Sequence, residues 1–197
     1  QNYADTLELM TDVPLPKFGD AIKVNAVVMT FAVHYIVSDL DSMNNFADLV
    51  DSVLEVGGVL ILTLLDGRRV FDLLKNIKKG DSWDAPSVSG SADNAQNDTK
   101  KYSIRKLYDD HKFKDFGLRI SLIHPFSAGE YYEENLVGIS GLEEVFIKRG
   151  YKVRQDGGFL DYIDKFAKFN KDMHGKMSTE DKAYSGLYQY VTLWRSR

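Results

Sequence analysis

The sequence has no cysteine, no long apolar run and no excess of positive charge. The absence of cysteine excludes disulfide bonds and thiolate metal sites. No apolar run approaches the roughly 18 residues that a membrane-spanning helix needs, and no signal peptide pattern stands at the front. The net charge of −4 argues against a protein that grips nucleic acid mainly through its overall charge. A small nucleotide pocket is compatible with all of these limits.

The composition is that of a globular domain, with 44% apolar and 27% charged residues in a chain of 197. Residues 24–33 are nearly continuously apolar and Val-rich, which predicts a strand buried on both faces. Residues 40–54 have apolar side chains at helical spacing, and Gly57-Gly58 is expected to end that helix. Residues 59–65 predict a second buried strand. This order of elements predicts a βαβ unit with parallel strands.

The rest of the chain adds weaker patterns, which together predict an α/β fold with a mixed sheet. Residues 80–100 are rich in Gly, Ser, Asp and Asn, and we expect them to form an exposed, mobile loop. The remaining predictions are helices at 68–79, 140–149 and 159–170, an antiparallel strand pair at 102–108 and 117–123, and strands at 151–154 and 188–194.

Ligands in open α/β sheets bind beyond the carboxyl ends of the strands, so residues 31–35 and 64–68 are candidate sites. The segment from Phe31 to Tyr35 places three ring side chains there, which suits a purine or an adenine-bearing cofactor. The alternative is that Phe31 and Tyr35 are core aromatics and that His34 is a surface histidine. His111, His124 and His174 do not stand at metal-ligand spacings, so we expect no metal site.

The Phe-Ala-Val-His-Tyr sequence after the first strand resembles a motif of RNA cap (guanine-N7) methyltransferases. Four further stretches follow in that family's order, so that the resemblance covers roughly residues 20–197. They are Gly57–Gly67, Lys114–Gly117, Glu134–Val137 and Leu187-Tyr188. The sequence looks closest to the C-terminal methyltransferase domain of mRNA-capping enzymes from poxviruses and other large DNA viruses.

The resemblance implies a class I S-adenosylmethionine-dependent methyltransferase fold, a Rossmann-like mixed sheet, of which residues 1–197 would be the C-terminal part. The family's glycine-rich cofactor-binding strands would then lie upstream of position 1. The implied enzyme is an mRNA (guanine-N7-)-methyltransferase that uses S-adenosylmethionine and binds capped RNA. Its expected partners are the missing N-terminal part or a stimulatory subunit. No membrane association is expected. Its expected location is intracellular, in the cytoplasm or, if the protein is viral, in the virion.

The family's motif also assigns roles to residues in the first candidate site. By resemblance, Phe31 borders the methyl donor, together with Thr30 and Tyr35. His34 and Tyr35 border the guanine. No catalytic acid or base is implied, because N7 of guanine already carries a lone pair. We therefore expect the enzyme to act by positioning its two substrates.

Two residues later in the chain complete the implied guanine site. Glu134 matches a carboxylate that accepts hydrogen bonds from N1–H and the N2 amino group of guanine, a donor pair that no other base presents. Its alternative is a surface carboxylate at the start of a helix. Tyr188 matches a tyrosine that contacts the cap, and Tyr190 would point to the same face of the strand. The alternative for Tyr188 is an edge-strand aromatic that packs on the core.

Three basic pairs surround the predicted loop, at 78–79, 100–101 and 105–106. They could contact the triphosphate or the RNA backbone, or form a solvated face. Two other functions stay open from the sequence. One is a methyltransferase that acts on a small molecule, and the other is a non-catalytic, methyltransferase-like partner subunit.

Overall fold

The computed structural model describes residues 23–86, 101–125 and 127–197, without the side chain of Asp164. The strands are β1 Val24–Thr30, β2 Leu54–Leu65, β3 Ser82–Asp84, β4 Ser103–Lys106, β5 Leu118–Ile123, β6 Tyr132–Leu136, β7 Tyr151–Gly158 and β8 Tyr188–Arg195. The helices are α1 Val33–Ile36, α2 Leu40–Val53, α3 Gly67–Leu73, α4 Ile139–Lys148, α5 Ile163–Phe169, α6 Lys171–Lys176 and α7 Thr179–Ser185, with a 3₁₀ helix at Phe159–Tyr162.

The first sheet has the order β1-β2-β8-β7. Strand β2 runs parallel to β1 and antiparallel to β8, and β8 is antiparallel to β7. The parallel β1–α2–β2 unit confirms the predicted βαβ arrangement. Leu60, Leu62 and Leu64 of β2 are fully buried, because alternate side chains of the strand point into one core together with the apolar faces of α2 and α4.

The prediction that residues 24–33 form a strand buried on both faces is wrong. Strand β1 ends at Thr30, and Val28 exposes 61% of its surface. Within the described part of the chain β1 has one neighbour, β2, and stands at the edge of the sheet formed by these residues. Only its inner face, with Val27 and Met29, packs against the core. An apolar run alone cannot distinguish an edge strand from a central one.

The prediction that Gly57-Gly58 ends the helix is also wrong. Helix α2 ends at Val53, and β2 begins with the next residue. Gly57 has a φ of +88°, and the β1–β2 register shifts nearby, between Val24 and Ala26. A Cβ on Gly58 would lie 3.0 Å from the carbonyl oxygen of Asn25, so the strands approach closely there. The two glycines therefore form an irregularity inside a longer strand.

The second sheet is antiparallel, in the order β3-β4-β5-β6, and it contains the predicted strand pair as β4 and β5. Its core includes the fully buried Ile104, Ile120 and Leu122. Part of the predicted loop at 80–100 is strand β3, and residues 87–100 lie outside the described residues. Strand β6 was not predicted. The helix predicted at 68–79 is the shorter α3.

The segment between β7 and β8 has more helix than predicted. The helix expected at 159–170 is a 3₁₀ turn followed by α5, and α6 and α7 come after it. Asn170 caps α6, and Ser178 with Asp181 forms a capping box at the start of α7. No helix in the described ranges has both the length and the apolar character needed to cross a membrane.

Candidate functional site

The candidate site lies where the carboxyl ends of β1 and β2 meet the start of β8. Phe31 follows β1 with a φ of +53°, an uncommon conformation for a bulky residue, and its N–H donates to the carbonyl of Thr63 at 2.8 Å. This turn directs the Phe31 ring toward Tyr188 and Phe159, at centroid distances of 5.2 and 6.0 Å. Strained backbone of this kind is common at ligand sites.

Helix α1 follows this turn and carries His34 and Tyr35 to strand β6 of the second sheet. The side chain of Asn135 donates to the backbone carbonyl of His34 at 2.9 Å and so holds α1 against β6. The Tyr35 hydroxyl donates to Oε1 of Glu134 at 3.1 Å. Nε2 of His34 lies 3.4 Å from the same oxygen. Residues that are about a hundred positions apart in sequence thus form one cluster.

Glu134 is buried, with a side-chain exposure of 5%, so the alternative of a surface carboxylate at a helix start is wrong. Side chains alternate along β6. Glu133 therefore points outward, where it pairs with Arg119, and Glu134 points inward. Burial raises the pKa of Glu134 to about 7, although the hydrogen bond from Tyr35 opposes the shift.

His34 is buried beside this carboxylate. Burial lowers its pKa to about 4, so the imidazole is neutral at pH 7 and its 3.4 Å contact with Glu134 is not an ion pair. Among the described residues neither ring nitrogen of His34 has a hydrogen-bond partner. Buried polar atoms are rarely left without partners, because this costs about 1–3 kcal/mol each. His34 therefore retains hydrogen-bonding capacity that a ligand can use.

A cavity of about 400 Å³ opens at this cluster, a size typical of small-ligand sites. We call it the aromatic cavity. Of the residues predicted to bind cofactor or substrate, it brings together Phe31, His34, Tyr35, Glu134 and Tyr188. Thr30 does not line it, because its side chain is exposed on edge strand β1.

Tyr188 also lines the cavity. Its hydroxyl donates to the hydroxyl of Tyr184 at 3.0 Å, and burial raises its pKa to about 12, so it stays protonated. The Tyr190 hydroxyl instead lies 2.7 Å from that of Tyr162, away from the cavity. Tyr188 and Tyr190 are two residues apart on β8, but their hydroxyl groups hydrogen-bond to different residues.

Sequence reasoning missed three aromatic walls of the cavity, Tyr102, Phe159 and Tyr184. Tyr184 carried a signal, since it lies four residues before Tyr188 in a segment that leads directly into β8. Its ring stacks on that of Tyr102 with centroids 4.3 Å apart. Tyr102 and Phe159 reach the cavity only through the packing of distant segments, which no local pattern encodes.

The basic pairs do not form a continuous track among the described residues. Lys79 pairs with Asp109 at the surface. Lys101 pairs with Asp181 at 2.7 Å. Lys106 is buried, and its ammonium donates to the carbonyls of residues 74 and 77, after the end of α3. It therefore fits neither a phosphate contact nor a solvated face.

The fold is shared with known enzymes. A crystal structure of a S-adenosylmethionine-dependent methyltransferase from Clostridium acetobutylicum matches 92% of this chain and 62% of its own chain, with a TM-score of 0.50 and 9% identity. The chain thus has the class I S-adenosylmethionine-dependent methyltransferase fold, which confirms the predicted fold class. No protein-family model matches the sequence.

The sequence is similar over most of its length to viral mRNA-capping enzymes. It is 27% identical over 180 residues to the mRNA-capping enzyme of African swine fever virus, isolate Pretoriuskop, across 90% of this chain. It is 25% identical over 174 residues to a protein of Acanthamoeba polyphaga mimivirus named "Probable mRNA-capping enzyme". The chain spans 19% and 14% of the lengths of these relatives. The resemblance to capping enzymes is therefore confirmed.

Proposed function

We propose that this chain provides the guanine-binding part of an mRNA cap methyltransferase, which transfers a methyl group from S-adenosylmethionine to N7 of the cap guanine in RNA. The observation that carries the proposal is the buried Glu134 at the base of an aromatic cavity, beside a neutral His34 that lacks hydrogen-bond partners. The methyltransferase fold and the capping-enzyme relatives support the reaction class.

The geometry suits guanine in particular. A carboxylate accepts two hydrogen bonds side by side, and guanine offers N1–H and the N2 amino group on one edge. Adenine presents an acceptor at N1, which a carboxylate would repel. The rings of Phe31 and Tyr188 supply flat apolar surfaces against which a purine can pack. The free ring nitrogens of His34 are available to the polar atoms on the rest of the base.

The residues after β1 fit a methyl donor at the edge of the same cavity. Phe31 exposes 46% of its surface at the carboxyl end of a parallel strand, where such sheets bind ligands. We propose that Phe31 and Tyr35 border the cofactor, whereas the exposed side chain of Thr30 does not fit the role that the resemblance implied. When bound, S-adenosylmethionine supplies an electrophilic methyl group on a positively charged sulfur. We also propose that residues 1–197 are the C-terminal part of one methyltransferase domain, which acts with further parts of the protein or a stimulatory subunit.

In this proposal the chain's own residues act by positioning. Glu134, His34 and Tyr188 hold the base so that its N7 faces the Phe31 side of the cavity. Alignment of two reactants in this way is worth roughly 7–11 kcal/mol of the barrier. No side chain has to remove a proton, because N7 reacts through its lone pair.

The experiment is a methyl-transfer assay with the full-length protein, labelled S-adenosylmethionine and GpppRNA, followed by nuclease digestion to identify the methylated position. We expect label in 7-methylguanosine. Glu134→Gln should lower kcat/KM by about 10- to 100-fold, because an amide places a donor against a guanine donor. Glu133→Gln, on the exposed side of the same strand, is the matched control and should stay at wild-type activity. Label at another position, or equal activity of the two variants, would contradict the proposal.

A further inference from the structure

A second cavity adjoins the aromatic cavity. It has a volume of about 660 Å³, and it shares the side chains of Tyr102, Phe159 and Ser185 with the aromatic cavity. Its other walls come from the segment between β7 and β8, which contains the 3₁₀ helix and helices α5 to α7. The two cavities are therefore adjacent, with these side chains at their boundary.

The lining of the second cavity is aromatic and apolar. Tyr162, Phe166, Met173 and Met177 contribute rings and thioethers to it. Phe166 and Met173 expose 36% and 52% of their surfaces, so these apolar groups face an open space. Flat rings of this kind bind nucleobases through stacking, which is tolerant of base identity because every base has a π face.

Two charged side chains line the second cavity, Asp181 and Lys176. The charge of Asp181 is already satisfied by the ammonium of Lys101 and the hydroxyl of Tyr102, each at 2.7 Å. Lys176 is exposed at the wall of the cavity, where its ammonium can contact a phosphate. Among the described residues of the lining Asp181 is the only carboxylate, and because it is already paired, none is left to select one base as Glu134 would. The lining therefore favours a nucleotide of any sequence.

We propose that the second cavity binds the nucleoside joined to the cap guanosine through the triphosphate bridge, the first transcribed nucleotide of the RNA. This inference rests on the proposed function, since it assumes that guanine occupies the aromatic cavity. The shared Tyr102 and Phe159 rings favour this ligand over a protein segment, because a protein segment would need no continuity with the guanine site. Phe166 then acts as a stacking surface for the second base.

The test compares two ligands that differ by one nucleoside, GTP and GpppA, in equilibrium titrations of the full-length protein. Wild-type protein should bind GpppA more tightly than GTP. Phe166→Ala should lower this preference by at least about 5-fold and leave the Kd for GTP unchanged. Phe169→Ala is the matched control, because Phe169 lies on the same helix and is 90% exposed. Phe166→Tyr keeps the ring and should keep the preference.

Equal binding of GTP and GpppA by the wild type would overturn the inference and leave the cavity to a protein segment. Equal losses in Phe166→Ala and Phe169→Ala would also overturn it. Glu134→Gln, titrated in parallel, should weaken the binding of both ligands alike. An unchanged affinity in that variant would contradict guanine recognition itself, so failure of the proposed function is distinguishable from failure of the second site.

Discussion

At the scale of single residues, the proposed function depends most on Glu134. It lies beneath α1 with Tyr35 as its hydrogen-bond donor, and it has the neutral His34 rather than a cation as its other neighbour. Because burial raises its pKa to about 7, the protonated and ionised forms of Glu134 interconvert near neutral pH in the ligand-free protein. A ligand that offers two N–H donors stabilises the ionised carboxylate and so shifts the protonation equilibrium toward it.

The affinity for a capped dinucleotide should therefore depend on pH. Guanine binding requires the ionised carboxylate, so the affinity for GpppA should level off roughly one pH unit above the pKa of about 7 and fall by up to about tenfold per pH unit below that pKa. GpppA suits this titration because its bridging phosphates do not titrate near pH 7. Glu134→Gln should show a flat profile between pH 5.5 and 8, and Glu133→Gln should keep the wild-type slope. A wild-type profile without a slope would contradict the role of Glu134.

The sequence predicted that residues 31–35 and Glu134 would share a site, and the structure brings them to one cavity, but their surroundings were not predictable. These residues stand out in the sequence through the resemblance to a family motif. The burial of Glu134 depends on Asn135, which anchors α1 from another part of the sequence. Tyr102 and Phe159 enter the site for the same reason, since tertiary packing brings them there. Thr30 is the opposite case. It directly precedes Phe31 in the sequence, but its side chain is exposed and lies outside the cavity.

At the scale of elements, the turn between β2 and α3 joins the two sheets. The Asp66 side chain caps α3, and its backbone N–H donates to the carbonyl of Leu187 at 2.8 Å, one residue before β8. The N–H of Gly67 donates to the carbonyl of Val137, one residue after β6, at 3.1 Å. This turn thus fixes the strands that carry Tyr188 and Glu134 relative to each other.

Gly67→Ala should disturb this junction. A Cβ there would lie 2.7 Å from the carbonyl oxygen of Val137, which is backbone and cannot rotate away. We expect a loss of about 1–3 kcal/mol in the free energy of unfolding, measured by urea denaturation. Gly175→Ala in α6 is the control, because a Cβ there meets nothing within 4 Å, and it should be neutral or slightly stabilising. Equal stabilities of the two variants would exclude a tight junction.

Elements whose apolar residues recur at a regular spacing were predictable from the sequence. Elements that form only through contacts with neighbouring elements were not. Helix α2 and its two parallel strands follow from apolar spacing over residues 24–65. The exposure of Val28 does not follow from this spacing, because it depends on how many strands flank β1. Strand β6 has only five residues, with charged side chains among them, and it becomes a strand by pairing with β5. Short helices such as α6 depend on caps more than on period.

At the scale of the whole molecule, the aromatic cavity belongs to neither sheet alone. The first sheet supplies Tyr188 at the start of β8 and Phe31 after β1, and the second sheet supplies Glu134. Tyr102, which directly precedes β4, adds a ring from the second sheet. A ligand in the cavity would contact residues of both sheets, so the proposed guanine recognition depends on how the two sheets are joined.

The central claim is that Glu134 recognises the edge of guanine, and the affinity ratio of GTP to ITP tests it most directly. Inosine keeps N1–H but lacks the N2 amino group, so it removes one hydrogen bond to a charged acceptor, worth about 1.5–3 kcal/mol. The full-length wild type should bind GTP roughly 10- to 150-fold more tightly than ITP, and Glu134→Gln should lose most of this preference. Equal affinities of the wild type for GTP and ITP would contradict the claim.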